Sequence, residues 1–205
     1  MTSWTKTLLL LLFALSTAFS GDPEKEQQNW VDRHYAALSL DERIAQLIMV
    51  RAQISYGEEH LNEVLSLVEN EKIGGIILFA GEAGQQLQWV NKYQQASPEI
   101  PLLVAMDAEN GAGFRLKDQT VVFPEALTLG AIQNNALIYE MGTQVAAQLR
   151  RIGVHINFAP VLDINNNASN PVINTRSYGE DRYNVTSQSM MYLKGMQDNG
   201  VMACA

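Results

Sequence analysis

The chain has 205 residues, 47% of them hydrophobic, enough to bury a substantial core. Its formal net charge is −8 and its isoelectric point is near 4.8; with no basic stripe to displace counterions, a nucleic-acid partner is excluded. One cysteine, Cys204, excludes an internal disulfide.

Residues 1–20 read as a signal peptide. Lys6 supplies the positive region, Leu8 to Leu15 a short apolar run, and Ala18-Phe19-Ser20 the small residues that favour cleavage after Ser20. The run is too short to cross a bilayer and no second one follows. The mature chain, 21–205, is therefore expected to be secreted or periplasmic, free of the membrane after signal cleavage, and one domain. Gly21 to Gln28 is polar and expected to be a flexible N-terminus. Ser39-Leu40-Asp41-Glu42 is a capping-box pattern, opening an amphipathic stretch with Ile44, Leu47 and Ile48 on one face.

Glu58 to Lys72 predicts a helix, with Leu61, Val64, Leu65 and Val68 in one stripe and glycines just past its end. Ile73 to Phe79 predicts a buried strand, Glu82 to Ala96 a helix, and Leu102 to Met106 a strand. Asn134 to Ile152 carries the clearest helical stripe: Ile138, Met141, Val145, Leu149 and Ile152, with Arg150 and Arg151 in the last turn and Gly153 beyond it. Val154 to Ile164 predicts a strand, Asn184 to Asn199 a helix, and Val201 onward another strand that would bury Cys204. Strands alternating with helices, and apolar on both faces, mean an α/β fold with a covered parallel sheet. Four or five strands make about half of a closed eight-stranded barrel.

Two apolar runs each end in a carboxylate with an arginine following. Leu102 to Met106 leads into Asp107-Ala108-Glu109-Asn110-Gly111-Ala112-Gly113-Phe114-Arg115. Asn157-Phe158-Ala159-Pro160-Val161-Leu162-Asp163 is followed by Arg176-Ser177-Tyr178-Gly179-Glu180-Asp181. In parallel α/β folds the C-terminal strand ends carry function. Carboxylates accept from hydroxyl pairs and arginine forks donate to them, so such a pocket suits a neutral polyol such as a sugar. These two blocks, with Lys72-Ile73-Gly74-Gly75-Ile76-Ile77-Leu78-Phe79, resemble glycoside hydrolase family 3, specifically the N-terminal barrel domain of its β-N-acetylhexosaminidase branch, from about Leu38 to Ala205.

The resemblance implies a TIM-type (β/α)8 barrel of which this chain is the N-terminal portion. It implies a retaining exo-glycosidase that hydrolyses terminal non-reducing β-linked N-acetylglucosamine, in cell-wall or chitin fragments. It assigns substrate binding to Asp107, Arg115 and Arg176. It places the nucleophilic aspartate, and a histidine acid/base paired with an aspartate, beyond Ala205, so no catalytic residue is expected in this chain and the chain alone is expected to be inactive. Asn110 and Ala112 stand where related sequences often have Gly-Gly-Arg. From the residues alone, Asp107 and Asp163 would be the carboxylate pair a glycosidase needs; the resemblance instead leaves Asp163 to orient its neighbours. For Arg176 the plain alternative is an ion pair with Glu180 or Asp181, and for Glu109 bonds to loop amides. Asn165, Asn166 and Asn167 read as turn residues.

No cofactor or metal is expected. His34, His60 and His155 lack metal-ligand spacing, His155 reading as a satisfied strand residue. Gly111-Ala112-Gly113 lacks the third glycine of a dinucleotide loop, Leu116 standing there. Asn167-Ala168-Ser169 and Asn184-Val185-Thr186 are glycosylation sequons. The alternative functions are a β-glucosidase or β-xylosidase of the same family, or a non-catalytic periplasmic sugar-binding protein.

Overall fold

The computed structural model describes residues 22–116 and 120–205; the signal-peptide reading of residues 1–20 lies outside the described residues. The chain forms two compact units, one up to Arg43 and one from Ile44 to Ala205. In the first, residues expected to be flexible form a helix, α1 (Pro23–Ala37). Asp22 caps it by accepting from the Glu24 amide, and Pro23 occupies the first turn, where a missing N–H costs nothing. The capping box is present in full: Ser39 Oγ accepts from the Glu42 amide at 3.2 Å, and Glu42 accepts from the Ser39 amide at 2.7 Å. It opens only a short helix, α2 (Leu40–Ala45).

The second unit begins with a departure from the sequence reading. The expected helical face of Ile44, Leu47 and Ile48 is exposed, and Met49–Ala52 is a strand, β1. A short apolar run is ambiguous between helix and strand, and here parallel pairing with β2 (Gly75–Leu78) decides. The elements then alternate: α3 (Gly57–Ser66), β2, α4 (Ala83–Ala96), β3 (Leu103–Met106), the short α5 (Ala126–Leu129), α6 (Asn135–Arg151), β4 (Ile156–Asn157), α7 (Arg182–Gln197) and β5 (Met202–Ala203). The five strands are parallel and lie in chain order, the order of a (β/α)8 barrel.

Side chains alternate across the sheet. Ala52, Ile76, Leu78, Val104 and Met106 are buried, in one cluster with Leu61, Trp89 and Val145 from the covering helices. The predicted stripe of α6 is buried along its length. Helices α6 and α7 meet closely at two glycines: a Cβ on Gly142 would collide with the Tyr192 carbonyl, and one on Gly195 with that of Tyr139. The glycines after α3 serve the same purpose rather than capping. The left-handed residue there is Lys72, following a π-helical turn at Leu67–Glu71, whereas a Cβ on Gly74 would collide with the Gln46 carbonyl.

Two expectations at the C-terminal side are corrected. The predicted strand at 154–164 contributes only Ile156 and Asn157 to the ladder, flanked by bonds to β3 from the His155 amide to the Val104 carbonyl at 2.8 Å and from the Phe158 amide to the Met106 carbonyl at 2.9 Å. Pro160 has no amide to extend it. Cys204 lies past β5, a strand that pairs with β4 along one edge, and is exposed rather than buried. Asn184 of the second sequon faces inward, its amide donating to the carbonyls of Gly130 and Tyr178 at 3.0 and 3.3 Å.

Candidate active site

Asp107 directly follows β3, as expected, at the C-terminal rim of the sheet. The chain turns there through the 3₁₀ helix Ala112–Phe114, which brings Arg115 back to it. Arg115 Nη2 donates to Asp107 Oδ2 at 2.6 Å, and its Nε to the Asp107 carbonyl at 3.2 Å. Both side chains remain about one quarter exposed, so the pair is accessible from solvent at the rim.

Arg176 arrives from the loop after β4, at the end of the 3₁₀ helix Asn174–Arg176. Its partner is neither Glu180 nor Asp181. It grips Glu109 with a two-pronged fork, Nε to Oε2 at 2.9 Å and Nη2 to Oε1 at 2.8 Å. Glu109 thus bonds a side chain, where sequence reasoning gave it loop amides. The Glu109 hydrogen bonds hold the Arg176 guanidinium above its ordinary pKa, with smaller help from the charges of Asp163 and Asp107. The three predicted binding residues therefore stand in two adjacent arginine–carboxylate pairs, on residues 107 and 109 of one turn.

Asn157, in β4, holds that turn. Completely buried, it faces the Ala108 backbone, accepting from its amide at 2.9 Å and donating to its carbonyl at 3.2 Å. The buried Tyr192 hydroxyl donates to the same carbonyl at 3.2 Å. A buried amide satisfied this way fixes the backbone between the two carboxylates. Sequence reasoning assigned Asn157 no role; a polar residue inside an otherwise apolar strand was the available signal.

Asp163 does not join the site as a strand-end carboxylate. It lies six residues beyond the end of β4, is exposed, and its carboxylate makes no hydrogen bond among the described residues. Its carbonyl is what the fold uses, accepting from the buried Ser177 hydroxyl at 2.5 Å. The asparagines beyond it make turns, Asn167 Oδ1 accepting from the Ser169 amide at 3.0 Å. His155, just before β4, is hydrogen-bonded to β3: Nδ1 accepts from the Val104 amide at 3.1 Å, and burial lowers its pKa.

Two depressions flank the pairs. One, of about 70 Å³, lies beside Arg176 and Glu109, walled by Phe114, Pro160, Val161 and Tyr178. The other, an open cleft of about 510 Å³, lies beside Arg115, walled by Ile54, Ser55, Gly81, Gln85 and Phe114. Phe114 borders both. Fork donors, carboxylate acceptors and an aromatic edge at one rim are suited to binding hydroxyl groups on an apolar ring.

The family model of the glycosyl hydrolase family 3 N terminal domain matches residues 39–205. A curated relative, beta-hexosaminidase A of Pseudoalteromonas piscicida, is 30% identical over 69% of this chain and 25% of its own. The beta-N-acetylglucosaminidase/beta-glucosidase of Cellulomonas fimi is 28% identical over 86% of this chain and 30% of its own. Among solved structures, a glycoside hydrolase family 3 beta-N-acetylglucosaminidase from Paenibacillus sp. str. FPU-7 superposes with a TM-score of 0.73 at 35% identity, covering 81% of this chain and 32% of that one. The chain thus spans less than a third of the length of each of these proteins. Matched over most of its own length, with the parallel sheet and rim that its motifs predicted, the chain belongs to glycosyl hydrolase family 3, and residues 39–205 belong to the family's N-terminal domain.

Proposed function

We propose that the protein carrying this chain is a retaining exo-acting β-glycosidase that removes terminal non-reducing β-linked N-acetylglucosamine from cell-wall or chitin fragments. Residues 39–205 supply the terminal-sugar subsite, through Asp107, Arg115 and Arg176. The observation that carries this reading is the pair of arginine–carboxylate contacts on one turn at the C-terminal rim. A sugar hydroxyl at this rim can donate to the carboxylate and accept from the arginine fork. Asp107 gives one carboxylate oxygen to Arg115 and Glu109 gives both of its oxygens to Arg176, so in this reading they serve as binding groups and the acid/base and nucleophile of the retaining reaction come from other parts of the protein. Names of relatives support the substrate: a hexosaminidase and an N-acetylglucosaminidase. The second name carried by the Cellulomonas fimi relative favours one other reading, β-glucosidase.

The protein is exported in this reading, on the strength of Lys6, Leu8 to Leu15 and Ala18-Phe19-Ser20. The test is hydrolysis of 4-nitrophenyl N-acetyl-β-glucosaminide and of 4-nitrophenyl β-glucoside by the full-length protein. A higher kcat/KM on the first supports the proposal. A higher value on the second moves the protein to the glucosidase reading, and turnover of neither refutes glycosidase function. N-terminal sequencing of exported protein checks cleavage after Ser20.

A further inference from the structure

The Phe79 ring stands beside the Asp107–Arg115 pair and has no part in the subsite proposed above. Phe79 follows β2 immediately, and its amide still donates to the Ala52 carbonyl at 3.1 Å. Leu78 pairs with Met106 in the parallel register, so Phe79 is level with Asp107 on the neighbouring strand. Side chains alternate along both strands, and Leu78 and Met106 are buried under the helices, so Phe79 and Asp107 emerge together on the opposite face. Arg115 joins them. Its guanidinium carbon lies 5.0 Å from the Phe79 ring centre and 4.8 Å from that of Phe114, while its Nη2 bonds Asp107 at 2.6 Å. The same Phe79 ring carries a second cation, Arg51, at 4.7 Å, held by the Tyr56 hydroxyl at 3.0 Å.

A guanidinium is planar, and a carboxylate constrains only one of its edges. Stacking on an aromatic face adds an attraction that restrains its plane. Arg115 is thereby held in two ways, by an ion pair with Asp107 and by the two rings over which its guanidinium carbon lies. We infer that Phe79 is a positioning residue: its ring sets the plane of the Arg115 guanidinium that meets the sugar. This rests on the subsite reading above. A leucine at 79 would fill much of the same volume but offer no ring face, so packing and positioning are separable.

The test compares full-length wild type with Phe79→Leu, Phe79→Tyr, Arg115→Ala and the Phe79→Leu/Arg115→Ala double variant. Kinetics on 4-nitrophenyl N-acetyl-β-glucosaminide are paired with the Arg115 Nε–H resonance of ¹⁵N-arginine-labelled protein, assigned by its absence in Arg115→Ala. Phe79→Leu is expected to lower kcat/KM about 3- to 10-fold, mainly through KM. It is expected to move the Arg115 resonance downfield as the ring current is lost, with the melting temperature nearly unchanged. Phe79→Tyr should restore both. In the Arg115→Ala background, Phe79→Leu should have no further effect. An unmoved Arg115 resonance in Phe79→Leu overturns the inference, as does an equal kinetic loss with and without Arg115. Because the resonance reports the stack without turnover, an inactive wild type would refute the glycosidase reading and still leave the stacking decided.

Discussion

The turn after β3 and the loop after β4 look alike in sequence: an apolar run, an aspartate, then an arginine. They are built differently. β3 runs to Met106, so Asp107 is delivered to the rim by the ladder itself and meets Arg115 eight residues later. β4 leaves the ladder after Asn157; Pro160 offers no amide, and Asp163 ends exposed in an asparagine-rich loop. The arginines differ in the same way. Arg115 pairs within its own turn, whereas Arg176 crosses from the β4 loop to Glu109 in the β3 turn. The β3 turn is the scaffold on which both pairs sit, and β4 contributes a buried clamp and an arginine to it. A carboxylate matters where hydrogen-bonded backbone holds it, and the motif alone does not say where that is.

The sharpest way to break this comparison is to remove each aspartate in turn from the full-length protein. Asp107→Ala is expected to lower kcat/KM on an N-acetylglucosaminide about 100-fold, because a sugar-binding acceptor is lost and the Arg115 fork is left without its partner. Arg176→Ala should cost about tenfold, since Glu109 retains its position in the turn. Near-normal turnover in a folded Asp107→Ala protein would remove that residue from the subsite.

Next in size is the clamp. Asn157→Ala leaves the Ala108 amide and one bond to its carbonyl unsatisfied in a buried setting, which is expected to cost about 2 kcal/mol of stability. Urea denaturation midpoints of the two proteins measure it. A variant as stable as wild type would mean that the β3 turn holds itself and that β4 is not its support.

A weaker effect is expected at the seam between β3 and β4. His155 must stay neutral for Nδ1 to accept the Val104 amide, and burial lowers its pKa below the ordinary 6.5. The unfolded chain then takes up the proton first on acidification. The stability this group contributes is complete above pH 6.5 and is lost as pH falls through the lowered folded value. His155→Asn supplies an acceptor that does not titrate. Unfolding followed from about pH 7.5 to about 5 should show a shallower decline in that variant than in wild type; identical slopes would remove His155 as a contributor.

The smallest effect is expected at the other aspartate. Asp163→Ala should leave kcat/KM within about twofold and stability within about 0.5 kcal/mol, because the fold uses its carbonyl and not its carboxylate. A loss comparable to that of Asp107→Ala would restore the two aspartates as a catalytic pair.

Local signals are legible in the residues themselves. The capping box at Ser39, the α6 stripe from Ile138 to Ile152, the αβ alternation and the placement of Asp107 all depend on a few neighbouring residues, and all are present in the fold. The helix at Pro23–Ala37 is also locally encoded, by Asp22 and Pro23, and its polar composition disguises it. What only the tertiary structure decides is everything that requires a partner distant in sequence. β1 is a strand because β2 lies beside it. Glu109 is committed to Arg176 across 67 residues, and Asn157 to Ala108 across 49. Residue pattern specifies periodicity and chain turns, since those arise from backbone geometry within a few residues. Which carboxylate meets which arginine is set by strand register, and register exists only once the sheet is assembled.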